Sequence, residues 1–388
     1  MKGRVAIVGA GMSKFGERFD ASYEQLVQEA YLRAVASVDR GFDPERLQAG
    51  WLSTVLGTLS DGSEFVTGGR LVQAIGLRGR PVSRLENACA TGADAVRNAA
   101  FAVAAGVYDV VLVVGAEKMR DGPSDEYLRV RRPISAAMTA PGMFGFYANR
   151  YAAEYGDPRA AMTAISVKNH HNGTLCGYSH MKIEVDADKI LASPLVSEPF
   201  HLYDCCPQTD GAAALILCDA RIAREFTDAP VYIWGTGLGS DTFDLKEHDS
   251  FVSARATRDA AAQAYGMAGV GAEAIQVAEV HDCFSFAEIL DYEDLGFAPR
   301  GGGRELALSG ATSLSGRLPV NPSGGLLAKG HPLGATGVAQ MVELWWQLRR
   351  QTEETGARQV RSADVALQQN VGGPVSVAAV TILSNRST

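Results

Sequence analysis

The sequence predicts an α/β fold made of two similar halves packed in layers, and three observations predict it. Short, continuous apolar runs lie between turn-forming residues, helical stretches alternate with them, and the same pattern begins a second time past the middle of the chain. With 388 residues, 46% of them hydrophobic, the chain exceeds the roughly 250–300 residues at which a single core stops growing. Two joined cores are therefore expected.

Val5 to Val8, Val110 to Val114 and Ala212 to Leu217 are the apolar runs of the first half, and such runs mark strands buried on both faces. Tyr23 to Val38 has the spacing of an amphipathic helix. Asp94 to Ala105 is apolar nearly all round, with Arg97 and Asn98 as exceptions, so this helix belongs between layers. A second pass starts at Val231 with a strand to Trp234, a helix from Thr257 to Tyr265 and a strand from Gln276 to Val280. A Gly-rich loop then leads into a helix from Val338 to Arg349, and Val375 to Leu383 closes the half as a buried strand.

In each half a helix opens just after a small-residue turn that carries a reactive side chain. The turns are Asn87-Ala88-Cys89-Ala90-Thr91-Gly92 and Gly330-His331-Pro332-Leu333-Gly334-Ala335-Thr336-Gly337. That symmetry suggests a duplicated βαβ unit with one shared site. Between Met119 and Cys206 the pattern loosens into short polar helices and turns, which predicts a loop domain inserted before the first half's final strand, involved in substrate binding. The expected division is residues 1–222, with the insertion at about 120–205, and residues 223–388.

A net charge of −8 with no block of Lys or Arg gives nucleic-acid binding little support. The six cysteines, at 89, 176, 205, 206, 218 and 283, follow neither a disulfide framework nor the spacing of a zinc site. They read as reduced thiols. The apolar run at the N-terminus is too brief for a signal segment, and no ~18-residue apolar stretch follows. The C-terminal Ser384 to Thr388 carries no peroxisomal address. A cytoplasmic protein without a membrane segment is expected.

Gly9-Ala10-Gly11 follows the first strand, but Lys14 stands where a dinucleotide fingerprint needs its third glycine. Cys89 sits where free backbone N–H groups and a helix dipole favour a thiolate, which predicts a pKa below the unperturbed ~8.5. A buried inert thiol is the bland alternative. Against it stands the company Cys89 keeps, since a nucleophilic thiol needs a base and an oxyanion hole, and the second half offers Gly330-His331-Pro332 and His281-Asp282-Cys283-Phe284 on loops leaving strands. His170, His171 and His201 could contact a phosphate group or simply cap turns. Cys205, Cys206, Cys176 and Cys218 read as packing thiols.

At these residues the chain resembles the thiolases over essentially its whole length, and most of all the sterol-carrier-protein-type and archaeal-type thiolases. Four stretches carry the resemblance: Glu86 to Gly92, Cys205 to Gly211, His281 to Phe284 and Asn321 to Gly337. It implies a thiolase-like αβαβα fold and an acyl-CoA acyltransferase that catalyses Claisen condensation or thiolysis of 3-ketoacyl-CoA. It implies that Cys89 is acylated, that His331 activates it and also points at a thioester oxygen, and that His281 takes the place of the asparagine of an Asn-Glu-Ala-Phe motif. Many thiolases keep an acid/base cysteine in a Cys-x-Gly motif near the C-terminus, where this chain has Asn370-Val371-Gly372. Asparagine cannot take a proton from carbon, so Asn370 is at most a positioning residue.

Relatives with a His-Asp-Cys-Phe motif carry their second cysteine there, which assigns the acid/base role to Cys283. Gly372 and Cys89 would lend backbone N–H groups to an oxyanion hole. Met143 resembles a methionine that shapes the acyl pocket. CoA thioesters are the implied substrates, with no metal or redox cofactor. A homodimer or a dimer of dimers is implied, and some relatives also bind a synthase through a small zinc-ribbon and OB-fold protein. Two alternatives stay open: an acyltransferase or retro-aldolase of this fold acting on a polyketide-like or steroid side-chain substrate, and a non-catalytic scaffold subunit. The presence of Cys89 argues against the aldolase.

Overall fold

The computed structural model describes residues 1–56, 67–122, 139–351 and 356–388. Its strands are β1 (Val5–Met12), β2 (Ala49–Ser53), β3 (Val82–Leu85), β4 (Val110–Glu117), β5 (Leu195–Ser197), β6 (Phe200–His201), β7 (Gly211–Asp219), β8 (Val231–Ser240), β9 (Val277–Glu279), β10 (Val365–Gly372) and β11 (Val377–Ser384). Among the described residues, nine of them form one sheet in the order β3-β2-β4-β7-β1-β8-β11-β10-β9, and β5 and β6 pair separately.

Outward from its centre, the sheet repeats itself. On one side β1, β7 and β4 pair antiparallel, then β4, β2 and β3 pair parallel. On the other side β8, β11 and β10 pair antiparallel, β10 and β9 pair parallel, and a parallel bridge from Ala278 to Val320 continues outward. The two sides join where Val5–Ile7 of β1 pairs antiparallel with Val231–Ile233 of β8.

The helices are α1 (Tyr23–Ala36), α2 (Gly68–Ile75), α3 (Thr91–Ala104), α4 (Ala140–Tyr155), α5 (Arg159–Leu175), α6 (Ala187–Ala192), α7 (Arg255–Ala268), α8 (Ser285–Asp294), α9 (Gly303–Leu308), α10 (Gly325–Ala328) and α11 (Leu333–Arg349). α3 and α11 pack on one another and touch strands of both sides. Their small and aliphatic faces, with Ala93, Val96 and Ala100 on one and Val338, Val342 and Trp345 on the other, share a core with Ile7, Val113, Leu215, Ile233 and Ala366. Outside the sheet, α1 covers β1 and β7, and α7 covers β8 and β11. The result is five layers, αβαβα, with α11 buried over nearly its whole length and α3 buried except for Arg97, Asn98, Phe101, Ala102 and Ala104, which are half-buried.

The structure departs from the sequence reading in three places. α11 opens at Leu333 instead of Val338, so Gly334 and Gly337 lie inside a helix that the glycines were expected to delay. The insertion holds long helices, α4 and α5, where short polar ones were expected. The buried face of α4 is Met143, Phe144, Tyr147, Ala148 and Tyr151, and that of α5 includes Asn169, His170 and Asn172. Buried tyrosines and amides hide a helical period that an apolar count would reveal. Residues 123–138 of the insertion lie outside the described residues. Finally, Gly9-Ala10-Gly11 lies within β1 and not in a strand-to-helix turn, which removes the geometry a dinucleotide fingerprint needs.

Candidate active site

Cys89 stands one residue before the N-cap of α3. The turn ahead of it is held by Thr91, whose hydroxyl accepts from the Asn87 N–H and donates to the Ala88 carbonyl. Ala88 has φ +48°, a left-handed conformation that costs a non-glycine residue roughly 1–2 kcal/mol. Cys89 packs against a small cluster that includes Leu333, the first residue of α11.

His331 lies on the loop that enters α11. Gly92 and Gly337 let the two helix starts approach closely, since a Cβ on Gly337 would stand 2.3 Å from the Ala93 nitrogen and one on Gly92 would stand 2.9 Å from the Gly334 carbonyl oxygen. Glu117, buried at the end of β4, fixes the start of α11 from below. Its carboxylate accepts from the N–H groups of Gly334, Val55 and Leu56 at 2.9, 2.9 and 2.8 Å and from Thr54 Oγ1 at 3.0 Å. An acceptor of this kind belongs at a helix N-terminus.

His281, Asp282 and Cys283 follow β9. Gln369 accepts from the His281 N–H at 2.8 Å and donates to Asp291 at 2.8 Å. Asp282 accepts from the Leu326 N–H at 2.6 Å and from Asn169 of α5 at 2.7 Å. The Cys283 carbonyl accepts from the Cys206 N–H at 3.0 Å. Phe284 packs against Phe144 of α4, with ring centroids 5.0 Å apart. The insertion is thereby tied to the loop that carries Cys283.

These elements bring Cys89 Sγ and one ring nitrogen each of His281 and His331 within 4.8 Å of one another. The imidazoles meet edge to face at 4.9 Å. The Thr336 hydroxyl lies 2.8 Å from His331 Nδ1 and donates its own proton to the Pro332 carbonyl at 3.0 Å. A hydroxyl has one proton to give, so it accepts from Nδ1–H and leaves the buried, unpartnered Nε2 of His331 as a lone pair. That is the form of a general base.

Burial pushes the His331 imidazole down to about 3. Burial, helped by the neighbouring His331, also holds His281 well below the usual range. The Cys89 thiol keeps some exposed surface, yet it is pushed up to about 12, first by desolvation and then by the Glu117 charge, against the N–H groups of Gly373 and Cys89. This corrects the expectation of a depressed pKa: the two backbone N–H groups lower it, and burial outweighs them. The Cys283 thiol is raised well above its ordinary value by burial and by the charges of nearby thiols and carboxylates. The resting site therefore holds neutral thiols beside neutral imidazoles.

Sequence reasoning missed several members of this site. An N–H that reaches the Cys89 sulfur is that of Gly373, while the adjoining Gly372 backs the turn that carries Cys89, where a Cβ would stand 2.6 Å from the Asn87 carbonyl oxygen. Thr336 and Glu117 were also missed, and Cys206, read as a packing thiol, gives its N–H to the Cys283 carbonyl. Only Thr336, five residues beyond His331 on the first turns of a helix, left any signal. The other singled-out groups lie elsewhere. His170 contacts the Tyr203 carbonyl, His171 pairs with Glu184 and His201 meets the Ser193 carbonyl. Cys176 and Cys218 are buried, and so is Met143, in the same core cluster as Cys283 and Phe284.

Residues 5–221 match the family model described as thiolase, N-terminal domain, and residues 237–385 match the one described as thiolase C-terminal domain-like. The chain is 38% identical over 389 residues to an acetyl-CoA acetyltransferase of Methanothermobacter thermautotrophicus, covering 98% of this chain and 99% of that one. It is 34% identical to sterol carrier protein 2 of Homo sapiens, over 95% of this chain and 70% of that protein. Its fold matches the solved Ltp2-ChsH2(DUF35) aldolase with a TM-score of 0.86 at 23% identity, covering 99% of each chain. At that identity the likeness is one of fold. No helix among the described residues is long and apolar enough to cross a membrane.

Proposed function

The chain belongs to the thiolase family, and from that premise we propose that it is an acyl-CoA acyltransferase that forms an acyl-enzyme on Cys89 and makes or cleaves the carbon–carbon bond of a 3-ketoacyl-CoA. The observation that carries this reading is the convergence of Cys89, His331 and His281 within 4.8 Å, beside the loop that holds Cys283. CoA thioesters are the substrates, and the proposed steps use no metal or redox cofactor.

In the acyl-transfer step His331 Nε2 takes the Cys89 proton as sulfur attacks the thioester carbonyl. The backbone N–H groups of Cys89 and the Gly372-Gly373 turn receive the oxyanion. The carbon–sulfur bond to CoA breaks, and the CoA thiolate accepts a proton from Cys283 while His331 keeps the proton it took. Cys283, now a thiolate, removes an α-proton from a second acyl-CoA, while His331 and His281 stabilise the enolate oxygen. The enolate carbon attacks the acyl group on Cys89 and releases its sulfur, which takes back the proton held on His331. Burial raises the Cys283 thiol above its ordinary value, which makes its thiolate the stronger base for removing an α-proton.

The same proposal places the boundary between the halves at residues 222 and 223 and makes the chain a homodimer. The aldolase assembly with a DUF35 protein supports a small zinc-ribbon and OB-fold partner here too. The test is intact-mass measurement after incubation with a panel of acyl-CoAs, followed by peptide mapping. One acyl group on Cys89, lost in Cys89→Ala, is expected. An adduct on Cys205, Cys206 or Cys283 overturns the nucleophile assignment.

A further inference from the structure

Asn370 sits on β10 with no exposed surface, and its Nδ2 lies 3.0 Å from His281 Nδ1. An amide nitrogen can only donate. The opposite amide orientation would put Oδ1 against the ring instead, so the surroundings of the other amide atom decide. Oδ1 has no hydrogen-bond partner and faces Gly337, where a Cβ would stand 2.4 Å from it. A carbonyl oxygen gains a weak C–H···O contact from the glycine Cα–H there. An NH₂ group turned to the same place would bury donors against carbon, which costs about 1–3 kcal/mol.

The main chain of His281 is gripped by the preceding residue of the same strand, Gln369. Backbone and ring are thus held by consecutive amides. We infer that Asn370 locks His281 in the tautomer that carries its proton on Nε2, so that the two histidines of the site stand in opposite tautomers. His331 presents a lone pair, and His281 presents an N–H.

The chemistry proposed above requires this division. A neutral imidazole stabilises an enolate oxygen only by donating, and the other tautomer would set its lone pair against the oxygen. Thr336 and Asn370 do the sorting, the first as an acceptor for Nδ1–H and the second as a donor to Nδ1. The inference rests on the reading of His281 as an oxyanion donor. It makes Asn370 a positioning residue in the place where many thiolases carry an acid/base cysteine.

The test uses the intact enzyme with ¹⁵N-labelled histidine. The chain has seven histidines, and His281→Asn and His331→Asn identify the two signals that matter. Two-bond ¹H–¹⁵N correlations are expected to show Nε2–H for His281 and Nδ1–H for His331. In Asn370→Asp a carboxylate faces Nδ1, so the His281 proton should move to Nδ1. Exchange of acetyl-CoA α-protons with deuterated water should then fall about 10²–10³-fold, the cost of losing one oxyanion donor. An unchanged His331 pattern shows that the variant's site is folded. In Asn370→Ala, which adds no charge, His281 should average between tautomers.

Wild-type His281 with its proton on Nδ1 overturns the inference, and so does Asn370→Asp exchanging α-protons at the wild-type rate. The spectra test the tautomers even in an enzyme that exchanges nothing. Absence of both exchange and Cys89 labelling in the wild type overturns the functional reading instead.

Discussion

His331 depends on one hydroxyl for its direction. Thr336→Val keeps the shape of the side chain but removes the acceptor for Nδ1–H, so the ring is free to turn its proton toward Cys89. Acylation of Cys89 is expected to slow by about 10–100-fold, as when other outer supports of a working histidine are removed, and stopped-flow release of CoA measures it. The pH dependence of stability follows from the same burial. A histidine whose folded pKa lies below its unfolded value of ~6.5 is protonated first in the unfolded chain. Acid therefore favours unfolding from about pH 6.5 down to the folded value of about 3. Each pH unit in that window costs about 1.4 kcal/mol. Asp282, lifted to about 8 chiefly by burial, acts in the opposite sense, so the comparison is with His331→Gln: Tm should fall more between about pH 7 and 5 in the wild type than in the variant. An equal fall in both would show that His331 is protonated in the folded protein. The residues themselves were legible in the sequence as a thiol and imidazoles at turn positions. Their protonation states were not, because desolvation depends on five layers closing over the site and no local pattern records that.

At the scale of elements, the site exists because α3 and α11 touch at glycines. Gly337→Ala would place a methyl group 2.3 Å from the Ala93 nitrogen and 2.4 Å from Asn370 Oδ1, and neither is the end of a flexible chain free to swing away. The expected outcome is a loss of about 1–3 kcal/mol, the usual cost of overpacking, read from the urea midpoint, together with loss of Cys89 acylation. Wild-type stability would mean that the helices do not meet there. The buried strands were legible because an unbroken apolar run must be hidden from water on both faces, and α3 because its apolar side chains outnumber what a single buried stripe needs, even though Arg97 and Asn98 stay half-buried. The extra turn of α11 was hidden by the very glycines that permit the contact. α4 and α5 were hidden because their buried faces use tyrosine, asparagine and histidine held by specific partners, such as Tyr151 on Glu293 and Asn169 on Asp282 and Glu288.

For the whole molecule, the strand β3 ends the sheet on one side with Ser83 and Arg84 exposed and Val82 and Leu85 half-buried. An edge strand needs a cover or charge to avoid uncontrolled pairing, and pairing with the same edge of a second chain is the two-fold solution. Sedimentation is expected to show a dimer at micromolar concentration, and Arg84→Pro, which removes a backbone donor from the edge, should shift it toward the single chain. A wild-type protein that sediments only as the single chain would count against the pairing. The repeated strand order carries a different consequence. Cys89 and His331 occupy matching places, each at the opening of the central helix of its own side. Two identical copies of one side, joined about the same axis, would present the same side chain twice: two thiols with no base, or two bases with no thiol. Division of labour between the helix starts requires two copies that differ in sequence, as the two sides of this chain do at Cys89 and His331.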